Sequence, residues 1–170
     1  MPKIVTARRR ENEKDRARLY LKSRLIMPTF PLGAATLVAG YGYMLLFLSP
    51  LTTGMVLGST ILLLFGALWG WCHTRYERYL LSACPEYLAR KQKLFDATRD
   101  YKRVSRELPA HGPLHPGRRL ALIWYAVGGS SMIGITVYYL DQMGAVPALL
   151  LPWAGYFNAK IIFLRDLLRA

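Results

Sequence analysis

Between residues 25 and 74 the chain has no Lys, Arg, Asp or Glu, and between residues 120 and 159 its only charge is Asp141. A helix crosses a hydrocarbon core of about 30 Å with roughly 20 apolar residues, each rising about 1.5 Å. The first stretch is long enough for two crossings and a turn. The second holds two if the turn is short and the last helix runs slightly past Lys160. No soluble fold buries an uninterrupted helix of either length. The pattern predicts an all-α membrane protein with four transmembrane helices arranged as two hairpins.

The boundaries follow from composition. Residues 1–24 form a basic N-terminal segment that can enter the bilayer as a charged helix, read as a solvated, lipid-facing leader. Residues 25–73 form the first hairpin, with helices expected over 25–48 and 51–73 and so little linker that the two must lie antiparallel. Residues 74–119 form a basic segment, and residues 120–164 the second hairpin, with helices over 120–140 and 143–164. Asp141 and Gln142 are expected to make its turn, and Pro147 and Pro152 to kink its last helix. Residues 165–170 are a short cationic tail. The N-terminus does not read as a cleavable signal.

Within the basic segment Pro85 is a plausible helix start. Tyr87, Leu94, Tyr101 and Leu108 recur with heptad spacing beside Leu88, Phe95 and Val104, which makes one apolar stripe. Arg90, Lys91, Lys93, Arg99, Lys102, Arg103 and Arg106 occupy the rest of the helix. Such an amphipathic helix can lie on a membrane surface or dock a partner.

The net charge of +13 is distributed with complete asymmetry. Nine basic residues precede the first hairpin, eleven lie between the hairpins and three are at Lys160 and beyond, while the hairpin turns carry none. The positive-inside rule then puts both termini and the central segment in the cytoplasm, as in a multi-pass protein of a bacterial inner membrane. Trp69, Trp71, Trp124 and Tyr125 fall where an inner aromatic belt is expected. Anionic lipids of the cytoplasmic leaflet are the expected surface partner. Nucleic acid is an unlikely one, since membrane-surface charge already accounts for the basic residues.

Small residues supply the packing faces on which membrane helices rely. Gly54 and Gly58 form one G-x-x-x-G and Gly66 and Gly70 a second. The two patches are displaced so that the helix touches two neighbours. Ala126, Ser130 and Gly134 repeat the spacing on the third span. These seven positions are candidate helix-packing or subunit contacts.

Chemistry-bearing groups are few. Asn158 and Lys160 are the candidates for a polar path, although snorkelling accounts for Lys160 and an interhelical hydrogen bond for Asn158. Cys72 and Cys84 read as free thiols. His111 and His115 are separated by Gly112 and Pro113, which prevent the helix that would align them, and no metal site, cofactor or catalytic constellation is expected. The absence of an acidic residue inside the spans argues against a proton-coupled pump, and polar groups that would mark a membrane enzyme do not cluster at one interface.

The expectation is therefore a non-enzymatic integral membrane subunit or assembly factor of a larger inner-membrane complex, of the secretion, conjugation or respiratory type, bound to other membrane subunits. The alternative is a small transporter or channel. A further alternative is a membrane-bound immunity or regulatory protein, an analogy of architecture alone.

Overall fold

A computed structural model describes residues 2–48, 50–96 and 117–169, and the described residues are all helical or in short connections. Helix α1, Pro2–Tyr20, runs through a π-helical stretch, Leu21–Ile26, into α2, Met27–Phe47. Pro28 and Pro31 lack the N–H groups that would bond four residues back. The wide turn lies just ahead of them, and Met27 N–H reaches the Lys22 carbonyl five residues earlier.

Helix α3 spans Thr53–Ala83 and α4 spans Pro85–Asp96. Thr52 is extended and its hydroxyl accepts from Met55 N–H at 3.3 Å, which caps α3. The helix ends at Cys84 because the following proline disfavours helical geometry in the residue before it. Helix α5 spans Arg118–Met143 and α6 spans Ala145–Arg169. Asp141 and Gln142 belong to the last turn of α5. The reversal is made instead by Gly144, at φ 77°, a conformation that glycine adopts without the strain a Cβ imposes.

Among the described residues, four helical stretches are long and apolar enough to cross a membrane, consistent with a multi-pass membrane protein: Glu11–Phe47, Thr53–Ala83, Arg118–Met143 and Ala145–Arg165. Helix α3 exceeds the expected 51–73 by most of three turns, and those turns carry Arg75, Glu77 and Arg78.

Although α2 and α3 are joined by a short connection, each packs chiefly against α6. Helix α6 runs antiparallel to α2, with Gly40 against Leu151 and Gly33 against Asn158. It runs parallel to α3, where backbones meet. A Cβ at Gly66 would fall on the Pro152 carbonyl oxygen, one at Gly155 on the Leu63 carbonyl oxygen, and one at Gly70 would stand 2.5 Å from the Tyr156 carbonyl oxygen. Helix α5 has less contact with the rest and lies antiparallel to α3, with Gly128 under the Trp69 ring and Gly58 under Tyr139 and Met143.

Ahead of the π-helical stretch, α1 lies on α4. Ala17, Tyr20 and Leu21 are buried with Leu80 and Leu88, and Tyr20 stacks on Phe95 at 5.9 Å. The N-terminal segment is therefore not wholly a solvated leader, and the apolar stripe of α4 is covered by this chain's own helix. The continuation of that stripe through Tyr101, Val104 and Leu108, with His111 and His115, lies outside the described residues.

Candidate functional site

The close crossing of α3 and α6 sets the geometry of the polar residues one to two turns beyond it. Residues four apart share a helix face, so His73 and Glu77 project together from α3, and Tyr156 and Lys160 together from α6. Because the helices are parallel and their backbones touch at Gly66, Gly70 and Gly155, the two pairs interlock. Lys160 Nζ lies 2.8 Å from Glu77 Oε1, and both residues are less than 5% exposed. His73 Nε2 is 3.4 Å from the same oxygen. His73 Nδ1 and the Tyr156 hydroxyl are hydrogen-bonded. The Lys160 ammonium also sits 5.5 Å from the centre of the Tyr156 ring.

An aromatic shell closes over this group. Tyr125 of α5 meets His73 edge-on at 5.2 Å, Tyr76 meets Tyr125 edge-on, and Trp69 stacks on Trp124 at 5.6 Å. Glu77 Oε2 is buried without a hydrogen-bond partner among the described residues. A buried charge without its counter-ion is costly, whereas a well-paired one is close to neutral in net effect. The pair therefore fixes which helix faces meet more than it adds stability. Carboxylate, imidazole, phenol and ammonium are thus gathered in one buried group, with hydrogen bonds joining His73 to Tyr156 and Lys160 to Glu77. Nothing in their geometry marks one as a nucleophile.

Three expectations are corrected by this cluster. A buried acidic residue does lie in a long apolar helix, and polar groups do gather at one end of the bundle. Lys160 does not snorkel: it turns inward to Glu77. The charge pattern hides Glu77 because Arg75 and Arg78 flank it and read as solvated surface. The available signal was the matched spacing, His73 to Glu77 and Tyr156 to Lys160, at the basic ends of two spans.

Asn158 behaves as a clasp. Its Nδ2 donates to the Gly33 carbonyl of α2 at 3.3 Å and to the Ala154 carbonyl at 2.8 Å. The small residues divide into two sets. Gly58, Gly66 and Gly70 are buried against α5 and α6, whereas Gly54, Ala126, Ser130 and Gly134 are exposed. A Cβ at Gly134 would meet nothing within 4 Å, and one at Gly54 only the Thr52 hydroxyl at 3.8 Å. Cys72 and Cys84 are free thiols, and among the described residues no group of three or more His, Cys, Asp or Glu is placed to hold a metal ion.

Beside the cluster, between the end of α3 and the start of α5, lies an open cleft of about 620 Å³. His73 and Tyr125 form part of its wall, so the polar group and the cleft adjoin.

Comparison of the chain with protein-family models, with curated proteins and with solved structures finds no match.

Proposed function

We propose that the chain is a non-enzymatic integral membrane subunit or assembly factor of a larger inner-membrane complex. In this reading it crosses the bilayer as two hairpins, with both termini and residues 74–119 on the cytoplasmic side. The observation that carries it is the outward face of α5. Ala126, Ser130 and Gly134 are spaced to receive a neighbouring helix, yet they are exposed on the helix least packed against the rest of the bundle. In lipid, where apolar side chains gain little by leaving acyl chains, close approach at small residues is a principal source of helix association. The chemistry-bearing side chains, by contrast, are turned inward toward one another, with Lys160 and His73 on the same Glu77 oxygen.

The test is purification of the tagged chain at native expression in mild detergent, with mass spectrometry of its companions. A stoichiometric set of membrane proteins is expected, and the double substitution Ala126→Leu with Gly134→Leu should release it while the bundle itself stays folded. A chain that emerges alone counts against the subunit reading.

One observation favours a small transporter instead: the buried carboxylate of Glu77 with an unpartnered oxygen beside a cleft. Of the two polar-path candidates, Lys160 is paired with Glu77 and Asn158 is spent on joining α2 to α6. Flux in reconstituted vesicles that disappears with Glu77→Gln would support this second reading.

A further inference from the structure

The cleft between α3 and α5 is not explained by subunit assembly. Its walls are almost wholly apolar, built from Tyr76, Leu120, Ile123, Trp124, Tyr125 and Val127. Its volume, about 620 Å³, falls within the range of about 300–1,000 Å³ of sites that hold small molecules. Leu120, Ile123 and Val127 are 73%, 60% and 57% exposed, so the cleft opens sideways, toward the acyl chains of a surrounding bilayer.

The end of the cleft has a different character. Gly117 belongs to its lining, so one end lies at the first turn of α5, where Arg118 and Arg119 are exposed. Arg118 lies within electrostatic range of the Tyr76 hydroxyl on the opposite wall. The N-cap of α5 is Gly117, which has no side chain to cap the N–H groups of the first turn, and among the described residues no side chain caps them. Arg75 on α3, 5.6 Å from the ring of Trp71, adds positive charge to the same end of the bundle.

A slot with hydrocarbon walls and the arginine-bearing first turn of α5 at one end is complementary to a molecule with an acyl chain and a phosphate. Guanidinium binds phosphate oxygens in a bidentate manner, and free N–H groups at a helix start favour the same charge. We propose that the α3–α5 cleft is a binding site for an anionic phospholipid. One acyl chain lies along Leu120, Ile123 and Trp124, and the phosphodiester sits at Arg118 and the first turn of α5, with Arg119 adding positive charge nearby. The bound lipid covers the side of α5 that this chain leaves open and fills contacts that an empty cleft would forfeit. The inference requires that the helices stand in a bilayer but does not depend on the subunit reading.

The test places the purified full chain in nanodiscs of equimolar phosphatidylglycerol and phosphatidylcholine, followed by native mass spectrometry of the lipid retained on extraction. Phosphatidylglycerol is expected in several-fold excess over phosphatidylcholine. Ala121→Phe, which fills the cleft from its half-buried wall, should abolish retention. Ile123→Trp, on the exposed rim, serves the same purpose if the first variant does not fold. Arg118→Gln with Arg119→Gln should keep a lipid but lose the headgroup preference. Equal amounts of the two lipids on the wild-type chain, or undiminished phosphatidylglycerol on a folded cleft-filling variant, would overturn the proposal. Should the filled variant keep its lipid and instead lose a companion protein, the cleft is a protein-docking groove and the lipid site is excluded. A wild-type chain that retains phosphatidylglycerol but has no companions sinks only the subunit reading.

Discussion

Glu77 and Lys160 meet across two parallel helices with carboxylate and ammonium 2.8 Å apart, and each stands one helical turn beyond a member of the His73–Tyr156 hydrogen bond. Removing one partner leaves an uncompensated buried charge, which costs about 3–5 kcal/mol, whereas replacing both by apolar groups is often neutral. Lys160→Met is therefore expected to lower stability in detergent by that amount, and Glu77→Leu added to it to recover most of the loss. Denaturant unfolding of the two single variants and the double variant would show it. Strict additivity would mean that the two charges are not coupled.

Asn158→Leu should behave differently. It removes one neutral interhelical hydrogen bond, to the Gly33 carbonyl, and such bonds in membrane proteins average about 0.6 kcal/mol, with about 1.7 at most. The same unfolding assay should therefore rank it well below Lys160→Met, and an equal loss would assign Asn158 a role other than clasping α2.

The glycines split by what surrounds them. At Gly66 a methyl group would fall on the backbone of Pro152, so Gly66→Ala must force α3 and α6 apart. A loss of at least about 4 kcal/mol, large for a single substitution, or failure to purify as a folded species is expected. Gly134→Ala meets open space and replaces a poor helix former by the best one, a change worth up to about 1 kcal/mol in favour of the helix. Thermal midpoints in one detergent would compare the two. Equal behaviour would contradict the close crossing.

Leu88 is 2% exposed in the small core that joins α4 to α1. Leu88→Ala should cost about 2–5 kcal/mol, and the cost should be local. Amide exchange is expected to quicken in residues 11–20 and 85–96, with protection in α3 and α6 unchanged. Spread of the effect into the spans would show that the two cores unfold as one.

Orientation can be checked with thiol probes in a background of Cys72→Ala and Cys84→Ala. Leu51→Cys and Gln142→Cys lie at the turns that carry no basic residue, so an impermeant maleimide should label them in intact cells. Ser82→Cys, at the basic end of α3, should react only after permeabilisation. The reverse pattern would invert the topology.

The long apolar helices were legible because a long charge-free run has few other physical solutions, and most of their ends fall within a few residues of the expected limits. The exceptions are the first stretch, which is helical from well before residue 25, and α3, which continues past His73; continuation of a helix past an apolar run costs little when the added turns pack on a partner. Glu77 and Lys160 illustrate what one sequence does not reveal. Each is an ordinary interfacial charge until the parallel crossing of α3 and α6 brings them together, and that crossing depends on small residues whose partners are far away in the chain. The same holds for the glycines. Spacing marked Gly54, Gly58, Gly66 and Gly70 alike as packing positions. Only the arrangement of neighbours distinguishes Gly66, closed by the Pro152 backbone, from Gly54, which faces open space.

The position of α6 between α2 and α3 has a consequence for biosynthesis. Both earlier helices bury their small-residue faces against a segment translated after them, so during synthesis they form before the partner that they pack on. Until residues 145–169 leave the ribosome, Gly33, Gly40, Gly66 and Gly70 offer bare surfaces to whatever helix is nearby. Arrival of α6 closes all four of these surfaces together.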